Sequence, residues 1–411
     1  MSKSQNANKS ISQPRSTSMG LNLSRHQSTN TVEKLGHELY NIPSSTVATW
    51  GSLLTFDVKV REILVHNISI LLALGPLLGL TGGVNPRLVP SYKMIERIEI
   101  LINNVLVQNS NGDEQFLNTQ NYSTNEDRTY INSGAGAYHS AAQRSAKSAV
   151  ANDWIINLKT LFDQCDIALL TDAHSVQVRV MLAPMANVIV PSAATGTGSV
   201  VINSSSLLVK ATRIPSDLAQ HRVLSMKSSP EHYLYHAMIQ GSFNVQSGVS
   251  QSNITLSPIN GKVALFFFVV RNVIATSNDD STKYNKVKSF SINNAAGSNI
   301  TSGQPISSEM SLSYLSPYWT DSSYLSEQST GVSLTGIQVD NGANCYMWSF
   351  SSNPVRAMAT GARLSSHTFS GQETLTINWP ASLTQACTVD VFCMREQYVA
   401  MSSFKVDKFD V

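Results

Sequence analysis

Apolar and polar residues alternate at period two through most of the chain, the pattern of strands with one buried and one exposed face. Residues 53–60, Leu-Leu-Thr-Phe-Asp-Val-Lys-Val, show it clearly. Residues 95–102 repeat it, Asn103-Asn104 makes a turn, and residues 105–108 form the return strand of a hairpin. Residues 176–182 predict another half-buried strand, and residues 200–202 and 207–209 predict two short ones separated by serines. In the second half, residues 232–245 predict a long strand. Residues 253–256 then turn through Pro258-Ile259-Asn260-Gly261 into residues 262–270. From Val263 to Val270 that run is apolar on both faces, which suits a central strand covered on both sides. Residues 287–292, 345–350, 374–379 and 388–394 complete the set. Helix is sparse: residues 135–151 are rich in Ala, and Ser216 is placed to cap a short helix ending before Arg222.

Short strands with frequent turns predict antiparallel sandwiches, and the length suits two of them at roughly 190 residues each. A degenerate internal echo agrees. Residues 97–104, Arg-Ile-Glu-Ile-Leu-Ile-Asn-Asn, resemble residues 288–294, Lys-Ser-Phe-Ser-Ile-Asn-Asn, about half a chain later. Each half also ends near an alternating strand, residues 176–182 and 388–394. The boundary is expected within residues 222–230, giving an arm over 1–32, a first domain over 33–225 and a second over 226–411.

Composition narrows the class. The 411 residues carry 29 Lys and Arg against 27 Asp and Glu, a formal charge of +2. Charged residues are only 14%, well below the roughly 25% of ordinary soluble proteins. Hydrophobic residues reach 42%, which excludes a wholly disordered chain, and the near-neutral balance excludes nucleic-acid binding through overall charge. Charge is unbalanced at one place. Residues 1–32 hold Lys3, Lys9, Arg15 and Arg25 with no acid before Glu33, in a Ser/Asn/Gln/Thr background that forms no core and no signal peptide. Residues 63–84 carry no formal charge and are long enough to cross a bilayer, but His66, Asn67 and Ser69, then Gly75, Pro76, Gly79, Gly82 and Gly83, interrupt them. A buried strand through Leu74 followed by an apolar loop is the expectation. The four cysteines (Cys165, Cys345, Cys387, Cys393) lack zinc spacing and are read as reduced, buried thiols.

No pattern for catalysis emerges. His232 and His236 lie four apart in an extended run, about 13 Å along one strand face, with no acid or thiol beside them. Gly134-Ala135-Gly136 and Gly196-Thr197-Gly198 lack the strand-to-helix context of a phosphate cradle. Asp163 with Asp166, and Asp279-Asp280, read as solvated turn acids. No catalytic, cofactor-binding or metal residue is assigned and no cofactor is expected. Tyr314, Tyr318, Trp319 and Tyr324 cluster in a Ser-rich stretch and are candidates for an intersubunit aromatic patch.

Three segments carry a family resemblance. Residues 94–108, Met-Ile-Glu-Arg-Ile-Glu-Ile-Leu-Ile-Asn-Asn-Val-Leu-Val-Gln, resemble an early strand-turn-strand of the double jelly-roll major capsid proteins of tailless icosahedral DNA viruses, the lineage that includes adenovirus hexon, PRD1-like phages, nucleocytoplasmic large DNA viruses and polinton-like elements. Residues 254–271, a turn into an apolar strand ending in Arg, are similar to their second barrel. Residues 346–354, Gly361 and residues 374–379 resemble their last strands. Together these cover about a third of the chain. The chain is short for the algal and giant-virus members, which implies small loops above the barrels, and its Ser-rich basic arm is not a defining family feature.

The resemblance implies an all-β fold of two consecutive eight-stranded antiparallel jelly rolls with short helices in loops. It implies a non-enzymatic structural protein of the virion, assembled inside the host cell, in which three chains form a pseudo-hexagonal capsomer of an icosahedral shell. Partners would be further copies of the chain, neighbouring capsomers, and vertex (penton) and minor capsid proteins. Lys3, Lys9, Arg15 and Arg25 are then candidate contacts to genome, internal membrane or neighbouring subunit. Two other readings stay open: a single-jelly-roll coat protein of an RNA virus with shell and projecting domains, and a carbohydrate-binding β-sandwich protein.

Overall fold

The computed structural model describes residues 37–81, 85–122, 131, 133–136, 141–170, 174–190, 196–272, 284–311, 345–352, 363–402 and 405–410. In the first half, β1 (His37–Pro43), β2 (Leu53–Val58), β3 (Ile63–Leu74), β4 (Ile95–Ile102), β5 (Val105–Ser110), β6 (Asn152–Leu158), β7 (Val176–Leu182) and β8 (Ile202–Arg213) build two sheets. Their orders are β1-β8-β3-β6 and β2-β7-β4-β5. In the second half, β9 (Glu231–Val245), β10 (Gln251–Thr255), β11 (Leu265–Asn272), β12 (Ser289–Asn293), β13 (Ile306–Ser307), β14 (Tyr346–Ser349), β15 (Thr374–Asn378) and β16 (Cys387–Met401) build two more. These run β9-β16-β11-β14 and β10-β15-β12-β13. Adding eight to each label of the first pair of sheets yields the second pair. Every pairing is antiparallel, and an order of 1-8-3-6 opposite 2-7-4-5 is the jelly roll. The fold is all-β: two consecutive eight-stranded jelly rolls. A second half of this topology removes the reading in which only one half is a barrel.

Alternation explains the filling. β7 buries Val176, Val178, Val180 and Leu182 and leaves the residues between them half-exposed. The β4–β5 hairpin turns at Asn103 and Asn104, both at positive φ (49° and 64°), which Asn tolerates and the tight hairpin turn requires. In the second barrel Phe268 meets Phe290 edge-on at 5.1 Å, and Phe290 meets Tyr346 at 6.1 Å, so the two sheets close over an aromatic core. Helices α1 (Gly112–Tyr122), α2 (Ala141–Ser148) and α3 (Ser216–Ser228) occupy connections. Small ribbons add Ile167–Leu169 beside β3 and Val406–Asp410 beside β16.

Several expectations are corrected. Residues 202–213 are one strand running through the serines, because β3 supplies a continuous partner and Ser205 and Ser206 pair with Leu72 and Leu71. Residues 262–270 break at Ala264: Asn260–Val263 pairs with His367–Ser370, whereas β11 pairs with β16. Ser216 is no cap. Pro215 holds that position, the Ser216 hydroxyl donates to Glu62, and the helix continues past Arg222 to Ser228. The echo between residues 97–104 and 288–294 falls on β4 and β12, the same place in each barrel, but residues 176–182 and 388–394 fall on β7 and β16, which are not equivalent. The uncharged segment from Ile63 is β3 to Leu74, then a loop, and among the described residues no helix is long and apolar enough to cross a membrane.

Candidate functional site

The sequence-derived candidates separate rather than converge. Lys3, Lys9, Arg15 and Arg25, the aromatic residues Tyr314, Tyr318, Trp319 and Tyr324, and Asp279-Asp280 all lie outside the described residues. His232 and His236 sit on β9 opposite Ala400 and Glu396. Among the described residues no group of three His, Cys, Asp or Glu is placed to hold a metal. Asp163 and Asp166 do different work. Asp163 closes a capping box with Thr160 at the helical turn Leu161–Gln164, while Asp166 lies 2.7 Å from His66 Nδ1. His66 Nε2 is in turn 2.6 Å from the Thr212 hydroxyl, which also lies 3.1 Å from His37 Nδ1. That hydroxyl is buried and shared between two imidazoles, so the chain of bonds ties β1, β3 and β8 together rather than freeing a nucleophile. Gly196-Thr197-Gly198 crosses Gly79, where both Gly79 and Gly196 have positive φ and a Cβ on either would collide with the other loop's backbone.

What the fold does assemble is a junction between the barrels. On β11, Phe266 and Phe268 point into the second barrel, and the alternate residues Phe267, Val269 and Arg271 point out. Phe267 stacks on Phe392 of β16 at 5.2 Å, and both are buried. Covering this outer face is the first barrel. The Arg271 guanidinium spans Asp113 on α1 (2.6 Å) and Asp390 on β16; Asp113 also takes Lys93, and Ser242 donates to Asp390 at 2.7 Å. Gln240 on β9 accepts from Asn111 at 2.8 Å and donates to Glu114 at 2.7 Å. Gln164 receives the backbone N–H of His236 at 2.6 Å, the Tyr235 hydroxyl donates to the Val107 carbonyl of β5, and His174 meets the Ser402 carbonyl at 2.8 Å.

Burial makes these charges interdependent. It pushes the Asp113 carboxyl up, but Lys93 and then Arg271 outweigh it and leave Asp113 below its ordinary value. Burial lowers Lys93, against the pull of Asp113. Arg271 is held charged because Asp113 and Asp390 overcome its desolvation. Among the described residues Glu114 has no cation: burial raises its carboxyl to about 8, with the Gln240 amide opposing. The sequence offered one trace of this junction, an apolar run at 263–270 that reads as buried on both faces; Asp113, Glu114, Asp390 and Lys93 carried no signal.

The two ends of the first barrel differ chemically. Loops 44–52, 75–86 and 183–201 leave the strands at one end and contain no Asp, Glu, Lys, Arg or His. Backbone bonds stitch them: Gly75 to Val201, Leu78 to Ser199, and Leu77 to Ser148 of α2. They expose Val47, Leu78 and Val201, with Val150 beside them. The other end carries Lys59, Arg61, Glu62, Lys159 and Arg213, and a depression of about 490 Å³ lined by Asp57, Lys59, Arg61 and Gln177. The chain enters the barrel at this charged end, at His37.

No protein-family model matches the sequence, and no curated protein matches it. Solved structures do. The crystal structure of PBCV-1 VP54, fitted into a reconstruction of the virophage Sputnik, superposes with a TM-score of 0.64 at 13% identity, over 92% of this chain and 97% of that one. The Faustovirus major capsid protein gives 0.63 at 7% identity over 90% and 91%. The mavirus major capsid protein gives 0.54 at 9% identity over 99% and 97%. This chain has their fold. The double jelly roll is thus matched over nearly its whole length, at identities of 13% or less.

Proposed function

We propose that the chain is a viral major capsid protein, a non-enzymatic building block that self-associates as trimeric, pseudo-hexagonal capsomers of an icosahedral shell around a genome. The observation that carries this is one eight-strand barrel built twice and joined by a contact that can repeat. The junction is heterologous: the outer face of β9-β16-β11-β14 meets α1 and the β5 edge of the other barrel. The same contact, made from the second barrel of one copy to the first barrel of the next, closes a ring of six barrels when three copies are used. Its target is the outer face of β1-β8-β3-β6, where Leu64, Leu71, Ile155 and Leu208 are half-buried and Leu39 is exposed. We assign the domains as 33–225 and 226–411, the division falling within α3, with 1–32 as an arm. Lys3, Lys9, Arg15 and Arg25 of the arm are assigned to a neighbouring subunit, genome or internal membrane, and Tyr314, Tyr318, Trp319 and Tyr324 to an intersubunit contact. The three uncharged loops at one end of the first barrel suit minor or vertex proteins of low charge. Sedimentation and negative-stain microscopy of the full chain test the reading: a trimer of hexagonal outline is expected, and a strict monomer at micromolar concentration overturns it.

A further inference from the structure

The charges buried between the barrels balance only on one condition. Lys93 and Arg271 supply two positive charges, and Asp113 and Asp390 two negative ones, each bonded to its opposite. Glu114, next to Asp113 on α1, is 1% exposed and bonded across the junction only to the neutral Gln240 amide. Gln240 is fixed in that orientation by Asn111, whose own Oδ1 accepts the Glu114 backbone N–H, so the three residues form a closed ring between the barrels. Among the described residues, the remaining titratable groups near α1 offer no spare cation. On β4, Arg97 is paired with Glu99; Tyr284 is kept neutral by burial; and His236 on β9 is buried against Gln164 with its Nε2 unbonded among the described residues. Isolated carboxylates are costly to bury, and Arg271 is already shared.

We propose that the junction is a proton-operated clasp, electrically balanced while Glu114 holds its proton and loosened when loss of that proton leaves an unpaired buried anion between the barrels. It is independent of the assembly reading, since it holds for a single copy. The sign follows from linkage. The Glu114 carboxyl titrates at about 8 in the closed junction and 4.5 when exposed, so its contribution is complete below 4.5 and is lost as pH rises toward 8. Burial lowers His236 to about 4 from 6.5, so its contribution is complete above 6.5 and is lost as pH falls toward 4. Between 4.5 and 6.5 the two slopes cancel, and between 6.5 and 8 only Glu114 of this pair contributes a slope. Opening of the junction then rises about tenfold per pH unit in that upper window and levels off above it.

Amide hydrogen exchange of α1 and β9 in the full-length chain, corrected for the intrinsic pH dependence of exchange, reads this opening. The wild-type chain should lose about tenfold in protection per pH unit from 6.5 to 8, and Glu114→Gln should stay level there while still losing protection below 6.5 through His236. An unchanged wild-type profile above 6.5, or the same loss in Glu114→Gln, overturns the proposal. Should Glu114→Gln fail to fold, infrared spectra of the wild type decide. A buried protonated-carboxyl band should be present at about pH 7 and gone by about pH 9; its absence at the lower pH overturns the clasp.

Discussion

The two barrels share a strand order but not a way of filling it. The third strand of each sits in the middle of a sheet. In the first barrel that strand, β3, alternates aliphatic residues inward with Leu64, His66 and Leu71 half-buried outward. In the second, β11 is Leu-Phe-Phe-Phe-Val-Val and buried on both faces. Topology is equal and burial is not: the outer face of β11 carries the junction, whereas among the described residues the outer face of β3 is met by the 161–166 turn at His66 and Asn67. The difference teaches that a strand's pattern reports its neighbours: the first barrel's outer face keeps Leu64, His66 and Leu71 only half-buried.

Substitutions at matched positions test that contrast. Phe267→Ala on the outer face of β11 empties space packed from two sides and should cost about 4 kcal/mol in denaturant unfolding. Arg271→Met should cost about 3 kcal/mol, because Asp113 and Asp390 remain buried without their shared cation; a change below about 1 kcal/mol would mean that the junction carries little of the stability. Leu71→Ala on the outer face of β3 should cost under about 1 kcal/mol in a single copy, yet weaken the trimer in sedimentation, and an unaffected trimer would place the subunit contact elsewhere. Deleting residues 1–32 should change unfolding by under about 0.5 kcal/mol and leave the trimer, while reducing particle formation seen by negative stain. Loss of folding on that deletion would give the arm a place in the core.

Much of the second-level organisation was readable. Strands β2, β4, β5, β7 and β15 follow from alternation, and the Asn-Asn echo aligned β4 with β12 correctly although the two share few residues. Misses cluster where another rule outweighed alternation. β8 passes through Asn203 and three serines, residues of low strand propensity that a long antiparallel partner holds in register. β1 and β6 lack a clean period, and α1, Gly-Asp-Glu-Gln-Phe-Leu, looks polar because its acids face Lys93, Arg271 and Gln240 rather than water. The aromatic patch and the arm lie outside the described residues, so their roles rest on sequence pattern.

Local order in the chain was enough to specify a mainly antiparallel β-protein made twice, because side-chain period and turn residues are properties of neighbours in sequence. Which outer face is sheltered, and that Glu114 stands without a cation among the described residues, came from residues more than a hundred positions apart meeting across the junction. No short-range pattern encodes such a meeting, since desolvation and charge pairing depend on what the folded chain places beside each group.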